Sequence, residues 1–330
     1  MKKFINDPSC LVAELLEGFA LAHPDKVRLV GPSLVVRARK KPKDRVALVT
    51  LGGSGHEPAL SGFVGEGLLD FSVPGEIFAA PGPPRVLEAL RMAARDAGIL
   101  LVVLNHAGDV MTADIALEMA KKEGIQVLQI LTHEDISSGS RQDPTDRRGL
   151  VGALPVIKAA GAAAEEGRSL QECHAVAERM ERNMATLAVA VSSATHPATG
   201  QPISQLAADE MVVGMGQHGE SGMGSRKMAS ADGTADIMLP LLLEDLQVRK
   251  GEEVLVMLNG VGSTTLMELY IVLRRVRQIL DSRGIRLART LVGEFLTVQE
   301  MGGFQMCLAR MDPELLRLWD APCRSPALQV

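Results

Sequence analysis

Residues 45–58, RVALVTLGGSGHEP, decide the fold. The run from Val46 to Leu51 is dense in branched and apolar side chains and carries no charge, which marks a strand buried on both faces. It leads directly into Gly52, Gly53, Ser54 and Gly55. Glycines at a strand end permit a tight turn in which backbone N–H groups come close to a ligand. The loop is neither a Walker loop nor a dinucleotide fingerprint, because no lysine closes it and the glycine spacing is wrong. Gly-Gly-Ser-Gly-His also lacks the elbow pattern of a serine hydrolase. His56 reads equally as an acid or base and as a turn histidine in a structural hydrogen bond.

The same alternation continues outward. PPRVLEALRMAARDAG (83–98) reads as a helix stopped by glycine, ILLVVLN (99–105) as a strand, GDVMTADIALEMAKKEG (108–124) as a helix and IQVLQILT (125–132) as a strand. Strands alternating with helices of these lengths predict a parallel sheet with crossover helices. Upstream, Leu11, Leu15, Leu16 and Phe19 fall at helical spacing, with Ser9 as the expected cap. Downstream, residues 147–183 read as Ala-rich helices, and an extended segment lies near Leu187 to Val191. GEEVLVMLNGVG, TTLMELYIVLRRVRQILDSRG, IRLARTLVGEF and GGFQMCLARMDPELLRLWDAP then give strand, helix, strand, and strand with a short helix. The expectation is two α/β domains, 1–183 and 184–330, each with a central sheet flanked by helices.

Ligands of open α/β folds bind at the carboxyl ends of the strands, so the polar groups there come first. In LNHAGDVMTAD (104–114), Asp109 is read first as a helix N-cap and His106 as a partly exposed loop residue. MVVGMGQHGESGMG (211–224) sets glycines 214, 216, 219, 222 and 224 around one histidine and one glutamate. That density costs entropy unless the backbone must take unusual angles or touch a ligand, so His218 ranks above the other histidines. NGVGSTTLMELY (259–270) reads as a helix cap with close packing before it reads as an anion site. The methionines of MELYIVL and RNMATLAV are expected in the core.

The rest of the composition narrows the classes. A net charge of −5 with interleaved signs, one Trp and one Tyr argues against a nucleic-acid partner. No apolar run is long enough to cross a bilayer, and Asp7, Glu14 and Glu17 interrupt what would be a signal-peptide core, so a cytoplasmic location is expected. Cys10, Cys173, Cys307 and Cys323 are scattered, show no metal spacing and read as reduced, so no metal site is expected.

MKKFINDP, GGSGHEP, PGEIFAAP, NHAGD, RRGLVGALPVIKAAGAAAEEG, GMGQHGESG, LNGVGSTTLMELY and LWDAP with SPAL follow one another in order along the chain. Together they resemble the substrate-binding K subunit of dihydroxyacetone kinase. The resemblance implies a homodimer of two-domain α/β subunits. It implies that His218 holds the carbonyl carbon of a short ketose as a reversible hemiaminal, which excludes glycerol because a polyol has no electrophilic carbon. It implies that His56 and Asp109 act as acid and base, and that Gly53, Ser54 and Gly55 contact substrate oxygens. The chain itself is then expected to hold no cofactor. ATP or ADP with Mg belongs to a partner L subunit, recharged in some systems by a multiphosphoryl M subunit.

Departures from the family pattern point to a paralogue. The family's usual Lys-Asn-Tyr-Thr-Gly-Asp stands here as LNHAGD, so Leu104 replaces a substrate-contacting lysine and His106 an aromatic residue. A charged hydrogen bond is worth about 1.5–3 kcal/mol, enough to move preference toward a longer ketose such as erythrulose. The segments 132–149 and 241–254 differ as well. Some K-like paralogues are ketose-sensing co-activators that pair with a transcription factor, and the same histidines suit that role.

Overall fold

The computed structural model describes residues 2–220 and 222–330. Contacts divide the chain into two compact units. One comprises residues up to 132 with 153–180 and 317–330; the other comprises 133–152 with 181–316.

In the first unit, α1 (Leu11–Ala22) precedes an antiparallel hairpin of β1 (Val27–Val30) and β2 (Leu34–Arg37). Asp7, not Ser9, supplies the local cap, because its carboxylate accepts the Ser9 amide at 2.8 Å and heads a 3-10 turn, Pro8–Cys10, that leads into α1. Then come β3 (Ala47–Ser54), β4 (Phe71–Ile77), α2 (Pro83–Ala93), β5 (Ile99–Leu104), α3 (Ala107–Lys122) and β6 (Val127–Thr132). The sheet order is β1-β2-β4-β3-β5-β6, and β4, β3, β5 and β6 run parallel. Every residue of β5 is buried, as a strand covered on both faces requires. Helices α2 and α3 pack with Val49, Leu51, Val73 and Leu101 in one core.

Helix α4 (Ala153–Glu165) touches β3 and β5 and is buried along its whole length up to Ala164. Gly161 makes this approach possible, since a Cβ there would lie 2.5 Å from the Gly67 carbonyl oxygen. Lys158 of the same helix is buried with its Nζ donating to the carbonyls of Leu318 and Ala321 at 2.8 and 2.7 Å, which fastens the C-terminal segment. Helix α5 (Leu170–Arg182) follows.

The second unit contains β7 (Met184–Ala190), β8 (Glu210–Val213), β9 (Gly224–Lys227), α6 (Ala231–Leu246), β10 (Glu253–Gly260), α7 (Leu266–Ser282), β11 (Arg286–Gly293) and β12 (Gly303–Met311); α8 (Pro313–Asp320) ends the series. The sheet order is β11-β10-β12-β7-β8-β9. Only β10 and β11, joined by α7, are parallel; the other neighbours are antiparallel. The start of α7 is a capping box between Thr265 and Glu268 rather than an anion site. Met184 is buried as expected, but Met267 is 68% exposed because it lies on the face of α7 turned away from the sheet.

The single cut expected after residue 183 coincides with the start of β7, yet the contacts divide the chain differently. Segment 133–152 joins the second unit through the Asp135–Thr186 bridge, and the C-terminal residues join the first through Arg324 and Ala327, which bond Glu66 and Gly62.

Candidate active site

Because β3 and β5 are neighbours in parallel register, the loops that follow them leave the same edge of the first sheet side by side. The loop after β3 is fixed from several directions. Ser54 is buried and its Oγ donates to the Gly75 carbonyl at 2.7 Å, while the Ser54 carbonyl accepts the Phe78 amide at 2.8 Å. A Cβ at Gly53 would sit 2.7 Å from the Ala79 nitrogen, and one at Gly55, where φ is +99°, would lie 2.8 Å from the Phe78 ring. Both positions therefore require glycine. His56 is buried and packs its ring against Phe78 with centroids 5.1 Å apart. Glu57 accepts the Gly55 amide at 3.0 Å, and burial raises the pKa of its carboxyl.

At the end of β5, Leu104 is buried and paired with Thr132. His106 has extended backbone and takes the N-cap position, so α3 begins at Ala107 and Asp109 lies inside its first turn, not at the cap. Asp109 is buried there, where the helix dipole favours a carboxylate. Segment 78–82 joins the two loops: Phe78 meets His56, and the Pro81 carbonyl accepts Thr112 Oγ1 of α3 at 3.1 Å. Phe78 belongs to the motif PGEIFAAP, but composition gave no sign that it would touch His56.

In the second unit, β8 and β9 pair antiparallel from Val213 against Gly224, and the chain between them carries His218. Gly214 and Gly219 take φ of +79° and +86°, and a Cβ at Gly222 would lie 2.1 Å from the Gly214 carbonyl oxygen. At Gly216 a Cβ would meet only side-chain ends, Glu220 Oε2 at 2.2 Å and Arg148 Nη1 at 2.3 Å, which can give way. Glu220 closes the loop on itself. It accepts the His218 amide at 2.8 Å, and its Oε1 lies 3.2 Å from His218 Nδ1. Burial opposes ionisation of Glu220, but the His218 side chain and backbone outweigh it and hold the carboxyl at about 2. Beneath the loop, the Gly214 carbonyl accepts Arg148 Nη2 at 2.8 Å and Ser137 Oγ at 3.1 Å. Asp135 holds both donors, taking Arg148 Nε at 2.8 Å and Ser137 Oγ at 2.7 Å. Glu220 was visible in the sequence as the one acid of the loop, two residues from His218, but only the fold shows it on the imidazole.

An ionised carboxylate at Nδ1 favours the tautomer that bears its proton on Nδ1 and its lone pair on Nε2. That is the state of a nitrogen nucleophile. Two α/β units, each with a glycine loop that carries a histidine, define the class: a two-domain α/β protein. The family model described as the Dak1 domain matches residues 17–327, and the chain belongs to this family.

The chain is 37% identical over 315 residues to the dihydroxyacetone-binding subunit DhaK of PTS-dependent dihydroxyacetone kinase 1 from Listeria innocua, covering 95% of each protein. It is 38% identical over 333 residues to the L-erythrulose kinase of Pectobacterium atrosepticum, covering all of this chain and 56% of that protein. Among solved structures, it matches the dihydroxyacetone kinase of C. freundii at TM-score 0.89 and 29% identity, covering 99% of this chain and 60% of that one. It matches the dihydroxyacetone kinase operon co-activator Dha-DhaQ at TM-score 0.89 and 30% identity, covering 96% and 97%. The two α/β domains expected from the sequence are those of the kinase structure. Among the described residues, no helix is long and apolar enough to cross a membrane.

Proposed function

We propose that this chain is the ketose-binding subunit of a dihydroxyacetone-type kinase and captures its substrate covalently on His218. The observation that carries the reading is the His218–Glu220 pair, 3.2 Å apart in a loop where Gly222 leaves no room for a side chain and Gly214 and Gly219 take positive φ. Nε2 attacks the ketose carbonyl carbon, a C–N bond forms and the π bond opens onto oxygen. That oxygen takes a proton from the acid and Nδ1 releases one to the base that the family resemblance supplies, while Glu220 stays ionised beside Nδ1. The hemiaminal forms with no leaving group and no net change in protonation. His56 and Asp109 keep the acid and base roles that the family resemblance gives them. A partner L subunit, carrying ATP or ADP with Mg, supplies the phosphoryl group to the terminal hydroxyl.

Leu104 supports a substrate longer than dihydroxyacetone. Its buried apolar side chain cannot donate the charged hydrogen bond of the family lysine, and the similarity to an erythrulose kinase points the same way. The similarity to a co-activator favours a second reading, in which the same capture reports ketose to a transcription factor.

Intact-protein mass spectrometry with dihydroxyacetone, erythrulose and glycerol tests both, with borohydride as an attempted trap. The expected result is a ketose-specific mass gain, absent with glycerol and lost in His218→Ala. An adduct that survives in His218→Ala removes the assignment. Adduct formation without turnover when an L subunit is supplied selects the sensor.

A further inference from the structure

The first unit contains a concavity beside the glycine loop that shares Gly53 and Ser54 with the ketose contacts but extends away from them along α1. It measures about 610 Å³, in the range of small-molecule sites, and opens along α1. Its floor is the glycine loop, Gly52 to Ser54. Gly52, Gly53 and Ser54 all line it, and Gly52 faces Leu60, with the Leu60 Cδ1 at 3.1 Å from the place of a Cβ. His56, Leu104, His106 and Asp109 are not among the lining residues. Leu15, Leu16 and Phe19 of α1, with Pro58 and Leu60, make the wall mainly apolar.

The polar groups in this wall are not balanced in charge. Glu14 and Glu57 line it, His23 is the one basic side chain in the wall, and no lysine or arginine lines it. Glu14 is exposed on α1, while Glu57 lies deeper with its Oε1 on the Gly55 amide. We propose that this cavity is a binding site for an organic monoamine, whose apolar body fills the space beside Phe19 and Leu60 and whose ammonium group pairs with Glu57. Charge complementarity selects this occupant. A carboxylate in apolar surroundings is destabilised, as the raised pKa of Glu57 reflects, and a cation brought in by the ligand restores the ionised form. Anions meet two carboxylates against the single imidazole of His23.

Occupancy reaches the chemistry through one atom. Glu57 Oε1 accepts the amide of Gly55, the residue before His56, so an ammonium drawn to that oxygen competes with the hydrogen bond that shapes the loop. Monoamine binding and ketose binding then influence each other by the same factor, as linkage requires. The binding stands by itself; the coupling rests on the role proposed for His56.

Calorimetric titration of the whole chain with 4-phenylbutylamine, 4-phenylbutan-1-ol and 4-phenylbutyric acid tests the site. The amine is expected to bind at least tenfold more tightly than the alcohol or the acid, and Glu57→Gln to remove that preference. Gly18→Trp is the blocking variant. Gly18 lines the cavity and a Cβ there meets nothing within 4 Å, so the change is expected to keep the melting temperature and to weaken amine binding at least tenfold. Equal binding of the alcohol or the acid, or binding unchanged by Gly18→Trp, overturns the proposal. So does simple one-for-one displacement of the amine by dihydroxyacetone, which would make this the ketose pocket itself. His218→Ala is expected to bind the amine as wild type does. If wild type forms no ketose adduct, the functional reading fails while the titration still decides the site. If adduct forms but the amine does not change its yield severalfold, only the coupling is overturned.

Discussion

Glu220 shows how much one side chain can set. Its carboxyl titrates at about 2 instead of its ordinary 4.5, because the His218 contacts outweigh burial. A depressed folded pKa means that the pairing stabilises fully above the ordinary value and is lost as pH falls from about 4.5 toward about 2. Glu220→Gln removes the charge and leaves one acceptor oxygen where Glu220 has two, so one of the two His218 contacts meets an NH2 donor instead. Orientation and charge at an imidazole are worth about 10²–10⁴-fold in comparable acid–base catalysis. The variant is expected to capture ketose at least ~10²-fold more slowly, by timed mass spectrometry, and to lack the acid-side stability loss of the wild type. An unchanged capture rate would remove Glu220 from the site. His218 stood out in the sequence because its glycines did; its carboxylate partner did not, since spacing by itself does not say which way a side chain turns in a glycine loop.

Elements position these residues, and for the His218 loop the positioning comes from elsewhere in its own unit. Arg148 forks between Asp135 and the Gly214 carbonyl, so a segment some 70 residues upstream in sequence, |i−j| = 66, sets where the loop leaves β8. A hydrogen bond to a charged group is worth about 1.5–3 kcal/mol, and lysine cannot reproduce the planar fork. Arg148→Lys is expected to raise hydrogen exchange across residues 214–223 and to slow ketose capture about tenfold, with exchange in β10 and β12 unchanged. Equal protection in variant and wild type would show that β8 and β9 hold the loop unaided. The strands and helices around 45–58 were legible because buried parallel strands carry a dense apolar signal. Helix α6 was hidden by its internal Pro240 and early Gly233, and the four-residue strands β1, β2, β8 and β9 were too short for a period to show.

At the scale of the whole molecule, the segment after β6 meets β7 through the Glu134 backbone carbonyl, which accepts the Thr186 amide at 2.8 Å, and is closed on itself by the Glu134 carboxyl, which burial pushes up to about 8. Glu134 is 1% exposed and its Oε1 accepts the amides of Leu150 and Gly152 at 2.8 and 2.9 Å. A raised folded pKa gives stability that is full below the ordinary 4.5 and lost as pH rises through about 8. Glu134→Gln retains the acceptor and cannot ionise, so its melting temperature is expected to stay level between pH 5 and 8 where that of wild type declines. Parallel curves for the two proteins would place the proton elsewhere. By itself the sequence determined the α/β class and the buried strand that leads into the glycine loop, though β3 runs on to Ser54, because buried periodicity is a local property. Only the tertiary structure decided that the second sheet is mostly antiparallel, that Asp109 lies inside a helix rather than capping it, and that Glu220 grips His218. Each of these depends on which distant backbone a segment meets, and hydrogen-bond partners across tens or hundreds of residues leave no mark in local composition.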